Sequence, residues 1–245
     1  MRLGKVSAIS FDLDDTLWSF RAAVERAEAV LHAWLLEKAR GTAVTLPSWR
    51  ALGALRDQYE RSRPDLAANY RALRLGSIRL ALQLAKEDVA LAEAAYTVFY
   101  SARQKVEFYE DVWPALTWLS ARFPLVAVTN GNADLRLTGC SGFFRTVLTA
   151  DAFGYAKPDA SIFLEAAKIV GVQPEALLHV GDDFDLDVLG SLNAGLQAAW
   201  IVRHGFSEAK ASTGKTSRWY LRIRDLSMLC RALGGPLSLT SATDR

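Results

Sequence analysis

The stretch Ile9–Trp18, ISFDLDDTLW, passes from apolar residues straight into three acids within four positions, Asp12, Asp14 and Asp15. A short apolar run of this kind reads as a buried strand. Carboxylates at the end of such a strand read either as surface acids or as groups delivered to a site. The pattern recurs. Pro124–Asn132 (PLVAVTNGN) is apolar and then polar, and Ala176–Asp187 (ALLHVGDDFDLD) again ends on acids. Leu196–Val202 (LQAAWIV) reads as a further buried strand, and Phe144–Asp159 contains a short strand followed by a loop. Helical segments are expected between them, over Val112–Phe123, Ser161–Val170 and Asp187–Ala194, with Gly171 and Gly195 where C-terminal caps belong. Strands that alternate with helices and are apolar along their whole length imply a parallel sheet covered on both faces.

Between the first and second strands the texture changes. From about Arg21 to Phe108 Ala, Leu, Arg and Glu dominate, and Val24, Val30, Leu31, Trp34 and Leu35 are expected to form one helical face. Gly41–Ser48 (GTAVTLPS) and Ser62–Asp65 (SRPD) interrupt the pattern, giving about four helices. The fold class is therefore α/β: a Rossmann-like parallel-sheet core with an inserted α-helical cap domain. The core is assigned to 1–17 and 109–245 and the cap to 18–108, with hinges near Trp18–Phe20 and Phe108–Val112. Ser217–Leu233 is expected to add an edge strand and a last helix, and the terminal TSATDR to fray.

Composition narrows the function. A formal net charge of +2 over 245 residues argues against a dedicated nucleic-acid binder, and the basic residues Lys210, Lys215, Arg218, Arg222 and Arg224 read as a solvated edge. No apolar run is long enough to span a bilayer, and the N-terminus lacks a signal core, so a cytoplasmic chain without membrane partners is expected. Cys140 and Cys230 form no CxxC pattern and are expected to be reduced thiols. The oligomeric state is left open.

Ligands of an open parallel sheet bind beyond the carboxyl ends of its strands. Those ends carry Asp12 and Asp14, two residues apart and so on one side of an extended backbone, then Thr129, Asn130 and Gly131, then Lys157, and finally Asp182, Asp183 and Asp187. Carboxylates gathered in one cleft repel each other, and a hard divalent cation with oxygen ligands, magnesium, removes the conflict. Magnesium keeps waters and binds with phosphate, which implies a phosphorylated small-molecule substrate. A hydroxyl, backbone N–H groups and one ammonium would complete a cradle for phosphoryl oxygens. One carboxylate can then attack phosphorus while a second protonates the leaving oxygen and later activates water.

The motifs FDLDDT, TNGN, KPD and GDDFDLDVLGSLNAG resemble, in order, the four motifs of the haloacid-dehalogenase-like hydrolase superfamily. The helical insertion resembles that superfamily's first type of cap. The resemblance implies Asp12 as nucleophile, Asp14 as general acid and base, Thr129 as phosphoryl binder and Lys157 as the neutralising cation. It implies that Asp182 ligates magnesium with Asp12 and the Asp14 backbone carbonyl, with Asp187 a supporting acid near the metal. Asp183 stands where the family often has Ser, and no role is assigned to it. Dehalogenase members lack the second acid, so Asp14 favours a phosphatase; a phosphomutase shares these residues and is the alternative within the superfamily. A non-enzymatic binding protein that keeps the fold is the alternative of another class. ISFDLDDTLW with VTNGNADLR is also similar to bacterial phosphatases acting on flavin mononucleotide or on the phosphorylated aminouracil of riboflavin synthesis, although Ala156 stands where that subgroup often has Gly. Trp18 is read as packing or as a surface that stacks on a planar substrate ring, and His179, inside an apolar strand, as a hydrogen-bonded core residue.

Overall fold

The computed structural model describes residues 3–66, 69–203 and 218–236. His204, Lys210, Lys215 and the terminal TSATDR lie outside them. Strand β1 (Ala8–Phe11) is followed by five helices: α1 (Phe20–Lys38), α2 (Arg40–Thr45), α3 (Trp49–Ser62), α4 (Tyr70–Leu84) and α5 (Ala92–Arg103). Then come α6 (Val112–Ser120), β2 (Leu125–Thr129), α7 (Leu135–Thr138), β3 (Val147–Thr149), α8 (Ala150–Phe153), α9 (Ala160–Val170) and β4 (Leu177–Gly181). A π-helical turn over Phe184–Leu189 runs into α10 (Gly190–Asn193), before β5 (Gln197–Ile201), β6 (Leu221–Ile223) and α11 (Leu226–Ala232). No helix among the described residues is long and apolar enough to cross a membrane.

The chain divides into two compact units. The first takes 1–19, 108–131 and 139–245. Its six described strands form one parallel sheet in the order β3-β2-β1-β4-β5-β6. Every residue of β1, β2 and β4 is buried, which is why these strands read as unbroken apolar runs. The register places Phe11 beside both Ala127 and Val180, so the carboxyl ends of the three central strands finish side by side. One sheet face is packed by Ile162, Phe163, Ala166 and Val170 of α9 against Val126, Val128 and Leu177. Asp159 caps α9 by accepting from the Ser161 N–H, and Gly171 closes it with a left-handed φ of 72°, as its position in the sequence suggests. Cys140 and Cys230 are buried free thiols.

The second unit takes Phe20–Glu107 together with Asn132–Thr138. Its core is built from Ala27, Leu31 and Leu35 of α1 with Leu52, Ile78, Leu82 and Phe99. Val24, Leu31 and Leu35 do share the buried face expected for them, and Trp34 packs against its edge. Val30 does not: it is exposed, because six residues beyond Val24 the helix has turned well away from that stripe. The interruption read over Gly41–Ser48 is also shorter than expected. Gly41 is a helical residue of α2, and the break is confined to the residues before Ser48, whose hydroxyl caps α3 by accepting from the Ala51 N–H. Gly41 marks a close approach here: its N–H donates to Glu87 Oε1 at 2.6 Å, and a Cβ would lie 2.7 Å from that oxygen.

Candidate active site

The turn after β1 sets the first two acids. Asp12 continues the sheet, its N–H donating to the Val180 carbonyl at 2.8 Å. Asp15 then adopts a left-handed φ of 59°, which an Asp tolerates better than most residues, and its N–H donates to the Trp18 carbonyl at 2.7 Å. The loop thereby closes on itself, and the Trp18 indole N–H donates to Asp14 Oδ1 at 2.7 Å. Trp18 is fully buried, edge-on to Phe108 with centroids 5.2 Å apart. Packing and a grip on Asp14 therefore occupy this indole, and no face of it is exposed for stacking on a ligand.

Lys157 is the centre of the site. It is only 4% exposed, and its Nζ donates to Asp12 Oδ1 and to Asp187 Oδ1, each at 2.6 Å. Asp187 is bound on every side. Oδ1 also meets His179 Nε2 at 3.1 Å, and Oδ2 accepts the Asp183 N–H at 3.0 Å. His179 Nδ1 in turn meets the Ser10 hydroxyl at 2.9 Å, so this histidine is the buried, hydrogen-bonded core residue expected. Asp183 caps the π-helical turn, its Oδ1 accepting the N–H groups of Asp185 and Leu186, both at 2.9 Å. That cap starts the helical segment at Phe184, earlier than the Asp187 read from the sequence, and aims Asp187 back at Lys157.

Asn130 reads the backbone of Lys157 in both directions, accepting its N–H at 2.8 Å and donating to its carbonyl at 3.0 Å. These bonds hold the lysine loop against β2 and take up both polar atoms of the Asn130 side chain. Thr129 is buried, and its hydroxyl oxygen accepts the Gly131 N–H at 2.9 Å, leaving the hydroxyl proton to donate elsewhere. Gly131 lies against Asp14: a Cβ there would be 2.7 Å from Asp14 Oδ2 and 3.3 Å from Thr129 Oγ1. Carboxylate oxygens of Asp12, Asp182 and Asp187 lie within 4.8 Å of one another. Thus Asp12, Lys157, Asp182 and Asp187 converge directly, Asp14, Thr129 and Gly131 adjoin one another, and Asn130 acts through the lysine backbone.

The electrostatics follow from burial. Burial pushes the Asp12 carboxyl up to about 7; Lys157 pulls it down, while Asp187 and Asp14 push it further up. Burial alone would depress the Lys157 ammonium and raise Asp187, yet their mutual attraction, with Asp12 and His179 contributing, holds the lysine above and Asp187 below its usual range. Burial lowers His179 despite Asp187. The donor set is all oxygen and has more carboxylates than cations, which fits a hard divalent ion.

Three contributors were not assigned from the sequence. Thr16 donates to Asp12 Oδ2 at 3.0 Å. Asp183 is the cap just described. Arg203, buried, donates through Nε and Nη2 to the Thr16 carbonyl at 3.1 and 2.6 Å, pairs through Nη1 with Asp111 at 2.7 Å, and lies 4.3 Å from the centre of the Tyr109 ring. Thr16 stands within FDLDDT and Asp183 within GDDFD, so local signals existed for both. A lone arginine after β5 gives none.

Residues 6–195 match the family model of haloacid dehalogenase-like hydrolases. The chain is 34% identical over 203 residues to the 5-amino-6-(5-phospho-D-ribitylamino)uracil phosphatase YigB of Escherichia coli (strain K12), covering 81% of this chain and 84% of that protein. It is 31% identical over 214 residues to a glyceraldehyde 3-phosphate phosphatase of Methanopyrus kandleri, covering 83% and 87%. Among solved structures, a 2-haloacid dehalogenase from Pseudomonas syringae pv. Tomato DC3000 superimposes with a TM-score of 0.77 at 32% identity, over 94% of this chain and 98% of that one. A HAD phosphatase from Thermococcus onnurineus gives 0.62 at 25% identity, over 95% and 100%. The chain belongs to the haloacid dehalogenase-like hydrolase family, as an enzyme of its phosphatase branch.

The Gly131 contact yields a prediction. Its φ is outside the left-handed region, so alanine is compatible with the backbone, but the added methyl must displace the Asp14 carboxylate. Gly131→Ala is expected to lower kcat on a phosphate ester by on the order of 10²-fold, the cost of a small misplacement of a reacting group. Stability by denaturant unfolding should change by no more than about 1 kcal/mol. An unaltered kcat would show that Asp14 is not held where the reaction needs it.

Proposed function

We propose that this enzyme is a magnesium-dependent phosphatase that hydrolyses a small-molecule phosphate monoester through an aspartyl phosphate on Asp12, with flavin mononucleotide or a riboflavin-pathway phosphate as its substrate. The observation that carries the reading is the second carboxylate: Asp14 is held by Trp18 and by the Gly131 approach, beside a site where Lys157 binds Asp12. Attack by an Asp12 carboxylate oxygen forms the O–P bond as the ester P–O bond breaks, and protonated Asp14 gives its proton to the departing oxygen. Ionised Asp14 then takes a proton from the water that attacks phosphorus, releasing inorganic phosphate and regenerating the Asp12 carboxylate. The Thr129 hydroxyl, the Gly131 backbone and the Lys157 ammonium are assigned to the phosphoryl oxygens. Asn130, which the sequence places at a strand end beside Thr129 and reads as substrate-binding, is assigned here to positioning Lys157, and Trp18 to positioning Asp14.

Asp12 and Asp182, with the Asp14 backbone carbonyl, are the proposed magnesium ligands. Asp187 is assigned a supporting place, because its two oxygens already accept from Lys157, His179 and the Asp183 N–H. Bound magnesium would neutralise these carboxylates and polarise the phosphoryl group. The catalytic core is assigned to 1–17 and 109–245 and the cap, which sets substrate choice, to 18–108. Two free buried thiols support the cytoplasmic placement included in this proposal.

The riboflavin-linked substrate is supported by likeness to the Escherichia coli aminouracil phosphatase. The Pseudomonas syringae structure favours a second reading, dehalogenation, against which Asp14 stands. Three measurements test the proposal. Asp12→Asn is expected to lower kcat by about 10⁴-fold or more with the fold intact by circular dichroism; near-full activity would end the covalent route. Excess chelator should abolish turnover and added magnesium restore it, whereas turnover indifferent to chelation would remove the metal from the mechanism. Across a panel of flavin mononucleotide, the aminouracil phosphate, sugar phosphates and 2-chloropropionate, kcat/KM should be highest for one of the first two. A sugar phosphate in first place would reject the substrate, and halide release from 2-chloropropionate would reject the class.

A further inference from the structure

Strand β4 ends at Gly181, which pairs with Trp200 of β5, and Asp182 is the first residue beyond it. A backbone carbonyl at such a point must find its partner outside the strand ladder. Here the partner is the side chain of the paired residue: the Trp200 indole N–H donates to the Asp182 carbonyl at 2.9 Å. The same indole packs edge-on against Phe184, with ring centroids 5.2 Å apart. Trp200 thus touches the chain at Asp182 and again two residues later. Between the two contacts, the Asp183 N–H donates to Asp187 Oδ2 at 3.0 Å. Trp200 is itself held. Tyr220, just before β6, lies edge-on to Trp200 at 6.2 Å and to Phe184 at 5.5 Å, so the three rings close on one another. Val188, Leu192 and Ala198 complete this buried cluster, and Arg222 of β6 lies 5.3 Å from the Trp200 centroid.

We propose that Trp200 is a positioning residue for Asp182, and that its indole N–H sets the affinity of the acidic cluster for a divalent cation. The inference rests on the magnesium reading above and adds to it a residue that touches neither cation nor substrate. The three acids of the cluster are held in different ways. Asp12 accepts from Lys157 and Thr16, and Asp187 from Lys157, His179 and the Asp183 N–H, so both are gripped at their carboxylates. Asp182 is gripped at its backbone, where the chain leaves the sheet. A small cation gathers oxygens at fixed distances, so an acid that wanders weakens the site. Groups that orient ligands from behind tune affinity for this reason. A buried indole needs some acceptor, but its need alone does not select the carbonyl of an acid whose carboxylate lies within 4.8 Å of those of Asp12 and Asp187. The edge strand β6 also acquires a part in the site, because Tyr220 and Arg222 fix the ring that fixes Asp182. Every residue named belongs to the unit that carries the sheet.

The test is magnesium binding to the full chain, followed by isothermal titration calorimetry. Trp200→Phe keeps an aromatic ring in the cluster and removes the N–H; it should raise the magnesium Kd about tenfold. Turnover of 4-nitrophenyl phosphate by this variant should fall at low magnesium and recover as magnesium is raised. Tyr220→Leu removes a ring from the same cluster without touching Asp182. It should lower the midpoint of denaturant unfolding yet leave the magnesium Kd within about twofold, because the carbonyl keeps its donor. In the wild-type chain, the indole N–H resonance of Trp200 should shift as magnesium is added, which tests the contact even if Trp200→Phe fails to fold. An unchanged Kd in Trp200→Phe, an equal loss of affinity in Tyr220→Leu, or an indole resonance indifferent to magnesium would each overturn the proposal while the magnesium reading stands. A wild-type chain that binds no magnesium would remove both.

Discussion

A buried ammonium held between two buried carboxylates is the interaction that ties the candidate site together. Lys157 reaches Asp12 across 145 positions of sequence and Asp187 across 30, so the contact joins the end of β1, the loop beyond β3 and the helical turn after β4. Removing three charges from water is costly, and their attraction does not reliably repay it. The cluster is therefore poorly explained as a source of stability, which the apolar sheet and α9 supply. It is better explained as a device that holds Lys157 and Asp187 charged beside Asp12. Asn130 fixes the lysine backbone, and Asp183 and His179 fix Asp187, so the side chains meet without conformational freedom to lose when a ligand arrives. Asp182 and Asp14 leave negative charge in excess, and burial already pushes Asp12 up to about 7. A site with this surplus is suited to a divalent cation and a phosphoryl group together.

The parts of this arrangement that follow periodic or positional rules were legible in the sequence. The central strands are buried on both faces and so appear as continuous apolar runs, and the left-handed Gly171 stands where a helix must end. The convergence of Asp12 and Asp182, just beyond β1 and β4, follows from the rule that parallel strands deliver their ends to one edge. What escaped depends on partners distant in sequence. Gly41 looks like a break but is helical, because its small size admits Glu87. Val30 is apolar, but helical geometry places it off the buried stripe, so inclusion by type alone misplaced it. Arg203 cannot be singled out until the fold brings Thr16 and Asp111 to it.

Missing side chains shape the site as much as those present. At Gly181 a Cβ would overlap the Asp187 carboxylate, and at Gly131 it would meet Asp14. Each glycine follows or ends a central strand, where any other residue would stand in the path of an acid carried by a different segment. The sheet therefore sets more than the direction of its strands. At two ends it keeps the backbone bare, so that carboxylates approach to distances that side chains would forbid.

Similarity to both phosphatases and a dehalogenase shows how little of the reaction is settled by the fold. A shared sheet can aim one carboxylate at an electrophilic centre whether the leaving group is a halide or an alkoxide. The two differ in what departure requires: a halide leaves as a stable anion, whereas an alkoxide must be protonated. On the proposed reading, a short loop meets that requirement in this chain. Asp15 in the left-handed region turns the chain back, Trp18 is buried against Phe108, and its indole N–H binds Asp14. Arg203 grips the same loop through the Thr16 carbonyl, while the Thr16 hydroxyl binds Asp12. The proposed nucleophile and acid are thus held by one segment of seven residues, Asp12–Trp18. On the proposed reading, that local economy is what commits a fold common to two chemistries to the cleavage of phosphate esters.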